Sequence, residues 1–389
     1  MSKIVYLLGA GASRGIRRTD VANYKHSSNE SNIIEGLPLV NEIPERLNYW
    51  VDYLNNYEPN TDNLQNTIFP IGESGGTGYE QAIELLTKDL TWLKEESSRH
   101  ATIDTFAKKL YLTNRKDKFY KVELLLTIFF ILEQFYNKPD GRYDTFLASV
   151  LTKELELPED INILTWNYDS QFEIAYREYV TSDVDYNYIH NKLFVYDAKT
   201  DSPIGDCSKM PTGFINPKDK VKWHNANSFI PHKIIKLNGT ANFTDTFAIT
   251  DFFKVDEEDI KLKRLLNKYI LYSHSINQEN YTRLSFAWDN QWYIKSLIEN
   301  QLEKIIGDAE ILVVIGYTFP FFNRETDRKI FEIMPNLSKI YIQDPNAINL
   351  LMNIEPVLSY THVNVNDLLK GDRISPITNT SQFFLPPEL

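Results

Sequence analysis

A chain of 389 residues, 42% of them hydrophobic, is long enough to bury one large core, or one core and a smaller second one. Its 41 basic against 53 acidic side chains give a net charge of -12, which argues against bulk attraction to nucleic acid or an anionic membrane and leaves room only for a local basic patch. One cysteine, Cys207, excludes an intrachain disulfide and a multi-thiolate metal site. The seven histidines (His26, His100, His190, His224, His232, His274, His362) show no ligand spacing on a plausible helix, so no zinc is expected.

The opening Met-Ser-Lys-Ile-Val-Tyr-Leu-Leu lacks the basic start, apolar core and cleavage site of a signal peptide. The most apolar helical stretch, Val122 to Phe135, is interrupted by Glu133 and is too short for a bilayer, so a cytoplasmic protein is expected. Ile4 to Leu8 is the first of five short apolar runs with the length and β-branched content of buried strands. The others are Ile161 to Thr165, Ile234 to Leu237, Ile311 to Ile315 and Ile340 to Ile342. Helical patterns lie between them, clearest at Phe119 to Tyr136, Asp169 to Tyr179, Trp292 to Ile306 and Arg324 to Met334. Strands alternating with helices predict an α/β fold: a doubly wound, Rossmann-like parallel sheet.

Residues 36–156 read as a mainly helical lobe with a polar, loop-like stretch at Asn60 to Tyr79, inserted into a sheet domain made of 1–35 and 157–375. Residues 181–232, rich in Tyr, Asn, Asp and Pro, read as a second, irregular insertion, and 376–389 as an extended tail or partner contact. The lysines and arginines at Lys108, Lys109, Arg115, Lys116, Lys118 and Lys121 read first as a solvated helix surface, and second as a nucleic-acid or partner contact.

Ligands of doubly wound sheets sit beyond the carboxyl ends of the strands, so the residues after each run carry the chemistry. After the first run, Gly9-Ala10-Gly11-Ala12-Ser13 is expected to open a helix whose backbone N–H groups face a pyrophosphate. The alternative is a tight strand-to-helix turn with no ligand. Gly15 comes one position late for Gly-x-Gly-x-x-Gly, and no strand ending in Asp or Glu follows at dehydrogenase spacing, which disfavours hydride transfer. Arg14, Arg17 and Arg18 are candidate pyrophosphate or entry-channel contacts. Asn167 has the alternative role of capping the helix that begins near Asp169, and Gly316 and Thr318 those of turn and cap.

Taken together and in order, these elements resemble the sirtuin, or silent-information-regulator-two-like, family. Gly9-Ala10-Gly11-Ala12-Ser13 looks like its phosphate loop, and Thr165-Trp166-Asn167-Tyr168-Asp169 is similar to its Thr-x-Asn-x-Asp element, which carries the catalytic Asn and a ribose-pocket Asp. Lys236-Leu237-Asn238-Gly239 stands where the family has Lys-Leu-His-Gly. Gly316-Tyr317-Thr318 resembles its Gly-x-Ser element, and Asp344-Pro345-Asn346 its adenosine-side loop. Ile103-Asp104-Thr105-Phe106 also resembles a helix of the bacterial antiphage-defence branch. The likeness covers the sheet domain, and the insertions match nothing.

Two departures qualify what the resemblance implies. One cysteine cannot build the four-cysteine zinc ribbon of the deacylases, which brings this chain nearer the zinc-free NAD hydrolases of bacterial defence. Asn238 replaces the catalytic His, and an amide cannot exchange a proton near neutral pH. The glycosidic nitrogen of nicotinamide is cationic in NAD and takes the bonding electron pair as nicotinamide departs neutral, so loss of the His removes deacylation and only slows hydrolysis. His224 and His232 are nearby substitutes, more simply read as loop or strand-edge histidines. The resemblance thus implies NAD as substrate, Asn167, Asp169 and Asn238 as the catalytic set, and cofactor contacts along 9–14, 167, 169, 316–318, 344 and 346. It also implies a homo-oligomer, or a complex with a HerA-type ATPase, an Argonaute-type protein or another defence component. The competing expectation is an inactive subunit, natural or engineered, that binds NAD or ADP-ribose.

Overall fold

The computed structural model describes residues 2–17, 33–58, 67–70, 76–180, 189, 192–204, 233–244, 258–274, 281–289, 296–359, 368 and 373–389. Arg18, Cys207, His26, His190, His224, His232 and His362 lie outside the described residues, as do most of 181–232, much of the Asn60 to Tyr79 stretch and the start of the helix expected from Trp292. In chain order the main elements are β1 (Ile4–Leu8), α1 (Ile43–Asn55), β2 (Thr67–Pro70), β3 (Gly76–Gly78), α2 (Tyr79–Arg99), α3 (Ile103–Leu112), α4 (Lys116–Tyr136), α5 (Gly141–Val150), β4 (Ile161–Thr165) and α6 (Gln171–Arg177). They continue with β5 (Val195–Asp197), β6 (Ser202–Pro203), β7 (Ile234–Lys236), β8 (Gly239–Phe243), α7 (Glu258–Ser273), β9 (Thr282–Leu284), α8 (Glu303–Ile306, running on from a π-helical turn at Ile298–Leu302), β10 (Ile311–Ile315), α9 (Arg324–Glu332), β11 (Lys339–Gln343), α10 (Ala347–Leu358) and β12 (Ile374–Ile377).

The chain divides into two units: Met1–Gly15 with Pro139–Thr240 and Ser285–Leu389, and Ile16–Lys138 with Ala241–Leu284. The first is a doubly wound, Rossmann-like α/β unit. Its sheet runs β12-β11-β10-β1-β4-β7-β5-β6, with every pair parallel except the antiparallel edge pair β5–β6. The strands β1 and β10 are apolar throughout because both faces are covered, while β4, equally buried, carries Asn162 and Thr165. Val5 and Leu7 share one core with Leu312, Val314, Ile340 and Ile342, packed by Ile305 and Ile306, by Ile330 and Phe331 of α9, and by Leu350 and Ile354 of α10. On the opposite face Tyr6 meets Phe146 of α5, and Phe146 meets Phe172 of α6.

Several expectations change. The helix expected behind the glycine loop is a single 3₁₀ turn, Ala10–Ser13, followed by Gly15 at positive φ. The strands β5, β6 and β12 add to the five apolar runs, and the helix expected at Asp169 to Tyr179 is the shorter α6. Helix α5 and the tail 376–389 belong to the sheet unit, and 16–35 and 241–284 to the other. Tyr143, Phe146, Leu147 and Val150 explain the place of α5, for they form one buried apolar stripe at helical spacing.

In the second unit α1 buries Leu47, Trp50, Val51 and Leu54, and α2 buries Ala82, Leu86, Leu90 and Leu93, at the spacings expected of amphipathic helices. Helix α4 is apolar nearly all round and buried from Val122 through Gln134. Glu133, which interrupts that apolar run, is fully buried and accepts hydrogen bonds from Arg46 Nε at 2.9 Å and Asn137 Nδ2 at 2.8 Å, and from the Trp50 indole. Burial raises its pKa, and Arg46 opposes the rise. Lys109, Arg115, Lys116 and Lys118 are exposed on α3, α4 and their junction. No helix among the described residues is long and apolar enough to cross a membrane.

Candidate functional site

Strand order reverses between β1 and β10: the chain leaves β1 toward β4 on one side of it, and leaves β10 toward β11 on the other. This is the switch point at which doubly wound sheets open a ligand crevice beyond their carboxyl ends. The loops that follow these strands meet there. Gly9 N donates to Ile315 O at 3.0 Å, Gly11 N to Gly316 O at 2.9 Å, and Gly316 N to Gln343 O at 2.9 Å.

The loop after β4 closes onto the same place. Trp166 N donates to Leu8 O at 3.0 Å, and Asn167 N to Thr165 Oγ1 at 3.0 Å. The Asn167 side chain, 8% exposed, gives its Nδ2 to Gly9 O at 2.9 Å and to Ser13 Oγ at 3.0 Å. Ser13 Oγ in turn lies 2.8 Å from the Tyr143 hydroxyl. Gly9, Gly11, Ser13, Asn167 and Gly316 are therefore brought together by direct hydrogen bonds, although they come from three strands far apart in the sequence.

Asp169 is 7% exposed, and its Oδ1 accepts from Gln171 N at 3.0 Å. It, and not Asn167, satisfies an open amide at the start of α6. Burial pushes its pKa up, opposed first by the charge of Lys236. Lys236, the last residue of β7, donates from Nζ to the Asp169 backbone carbonyl and pairs with Glu173 Oε1 at 2.8 Å. Asn238 is also buried, at 7% exposure. Its Nδ2 reaches Trp166 O at 3.3 Å, while its Oδ1 and the Thr240 Oγ1 are buried without a hydrogen-bond partner among the described residues. The described part of this unit contains no histidine.

Other expected contacts sit differently. Tyr317 is turned into the core: it stacks on Trp166 at 6.0 Å, and its hydroxyl donates to both Asp327 oxygens, at 3.0 and 2.8 Å. Thr318 is exposed, and its carbonyl accepts from Asn353. Asp344 Oδ1 accepts from Asn346 N at 2.8 Å, in a turn that leaves Asn346 exposed at the head of α10. Arg17 is not a pyrophosphate contact: it is 5% exposed and spends its guanidinium on Glu42 and on the carbonyls of Glu35 and Leu37. Arg14 and Ala10 lie at the loop surface, and Ala12 beneath it.

Sequence reasoning missed Arg142, whose Nη2 donates to Gly11 O at 2.8 Å while it pairs with Asp140. Asp140 also takes Gly15 N at 2.7 Å and caps α5 through Arg142 N. The Asp140-Gly141-Arg142 cap was legible as a helix start, but its bond to the glycine loop, 131 residues away, was not. Among the described residues no group of His, Cys, Asp and Glu is arranged to hold a metal ion. The cluster offers amides, hydroxyls and a buried carboxylate beside a lysine, a set suited to orienting a polar ligand and stabilising positive charge. No model of a known protein family matches the chain, and no curated protein matches it.

Proposed function

We propose that the protein hydrolyses NAD at the bond between nicotinamide and ribose, releasing nicotinamide and ADP-ribose, with turnover lowered by Asn238. The observation that supports this most is the convergence of the β1, β4 and β10 loops through Asn167, Gly9, Ser13, Gly11 and Gly316. Nicotinamide departs neutral, so the reaction needs no general acid. It needs a stabilised ribosyl cation and an oriented water. Asn167 has already given its Nδ2 to Gly9 O and Ser13 Oγ, which makes its Oδ1 the atom to hold that water. The Asp169 carboxylate, supported in its ionised form by Lys236, offsets the developing charge. In this reading the protein serves bacterial antiphage defence, as a homo-oligomer or with a HerA-type ATPase or other defence partner.

The same use of Asn167 favours a second reading, in which the subunit binds NAD or ADP-ribose and turns neither over. Nicotinamide release and NAD binding, measured for the parent, Asn238→His and Asn167→Ala, separate the two. Hydrolysis predicts that Asn238→His raises turnover by about 10²–10⁴-fold and that Asn167→Ala abolishes it. Saturable binding with no product from any of the three proteins selects the binding subunit. Absence of both binding and turnover removes both readings.

A further inference from the structure

Lys236 is 2% exposed at the carboxyl end of a buried strand, where packing alone would select an apolar residue. It stands in register with Thr165 of β4, whose Oγ1 holds the Asn167 amide. Two carboxylates share its surroundings: Glu173, 0% exposed and ion-paired at 2.8 Å, and Asp169, 7% exposed. A buried ammonium needs such a partner, and Glu173 alone would supply one. The ammonium nevertheless also grips the backbone carbonyl of Asp169. That carbonyl belongs to the stretch between β4 and α6 that carries both Asn167 and Asp169. The Trp166–Asn167 end of this stretch is held by Leu8 O, Thr165, Asn238, Gly9 and Ser13, and its far end by the α6 turn at Gln171, where Lys236 adds a grip on the Asp169 carbonyl from β7.

We propose that Lys236 is a positioning residue of the site: from β7 it clamps the 166–170 stretch and the first turn of α6, and so sets the Asn167 amide on Gly9 and Ser13 and the Asp169 carboxylate beside it. Its kinetic consequence rests on the NAD-hydrolase reading, whereas its effect on the loop does not. Removing the lysine alone strands Glu173, its ion-pair partner, and endangers folding, whereas Asp169 keeps its bond from Gln171 N and, already raised by burial, takes up a proton. The informative variant is therefore Lys236→Met with Glu173→Met, because exchanging a buried ion pair for apolar side chains of similar size is often neutral. Glu173→Gln serves as the control that keeps the clamp on the Asp169 carbonyl.

Backbone amide exchange of residues 166–171 is measured in all three proteins without ligand, alongside kcat and KM for nicotinamide release. In the double variant the loop amides should exchange at least about tenfold faster while those of β1 stay protected. Its kcat should fall about 10–100-fold with KM within about threefold, the signature of misplaced but still binding groups. Glu173→Gln should keep the loop protected. Unchanged loop exchange in the double variant, or equal loss in Glu173→Gln, overturns the proposal. Faster loop exchange in a protein whose parent has no NAD turnover supports the clamp and counts against the hydrolase reading instead.

Discussion

At the scale of single residues, the glycines of the site are explained first by one another. A Cβ on Gly11 would lie 2.7 Å from the Gly316 Cα, and one on Gly9 would lie 2.6 Å from the Gly316 carbonyl oxygen. Gly316 itself has φ of +59°, and a Cβ there would meet the Ala12 amide nitrogen at 2.4 Å. All of these neighbours are backbone, which cannot rotate aside. Gly316→Ala should therefore destabilise the protein by about 1–3 kcal/mol from overpacking, with about 1 more from the left-handed backbone. Denaturant unfolding checks this, and a loss below about 0.5 kcal/mol would mean that the loops are not held as close as described. The glycine motif was legible because it is local. That its missing side chains serve loop-to-loop packing was not, since Gly316 is more than three hundred residues from Gly9. For the same reason Asn167 and Asp169 were readable as candidates, while Arg142 and Glu173 gained meaning only from partners distant in the chain, Gly11 and Lys236.

Among the elements, the central strands were legible because a strand buried on both sides is apolar at nearly every position, as in β1 and β10 and, with Asn162 and Thr165 as its buried polar exceptions, β4. The strands β5 and β12 were not, because Val-Tyr-Asp and Ile-Ser-Pro-Ile are short and carry polar or ring-locked residues suited to positions near a sheet margin. The tail beyond β12 shows most clearly what pattern reading lacks. Gln343 Nε2 donates to Asn379 O at 2.7 Å and to Gln382 O at 2.6 Å, and Phe384 N donates to Gln343 Oε1 at 2.9 Å. Phe383, 6% exposed, sits edge-on to Tyr143 at 5.0 Å and to Phe146 at 6.0 Å, beneath the Arg142 guanidinium. The tail thus buttresses α5, whose Arg142 holds Gly11 and whose Tyr143 holds Ser13. Phe383→Ala should cost about 3–5 kcal/mol, the range for a buried Phe. A loss under about 1 kcal/mol in thermal or denaturant unfolding would show that the tail rests on the sheet without supporting it.

For the whole molecule, the shifted carboxyl groups among the described residues all move the same way. Asp327 is pushed up to about 8 and Asp104 to about 6 by burial, and Glu133, Asp169 and Glu173 are raised from the same first cause. A carboxyl whose pKa is higher folded than unfolded binds its proton more tightly in the folded state. The stability this contributes is complete below the unfolded value, about 4, and is lost as pH rises through the folded one. The net charge of -12 adds self-repulsion of the same sign as pH climbs. Maximum stability is therefore expected on the acid side of neutrality, with a decline from about pH 5 to about pH 8. Asp327 supplies the test of cause: it is 1% exposed, and the Tyr317 hydroxyl that donates to both its oxygens offsets the desolvation only in part. Asp327→Asn keeps the size and the acceptor for Tyr317 while removing the titration. Its unfolding free energy, followed from pH 5 to 9, should decline less steeply than that of the parent, by an amount on the order of 1–5 kcal/mol across the window. Parallel profiles for the two proteins would show that Asp327 titrates as an ordinary carboxylate, and would remove burial of this group as a source of the pH dependence.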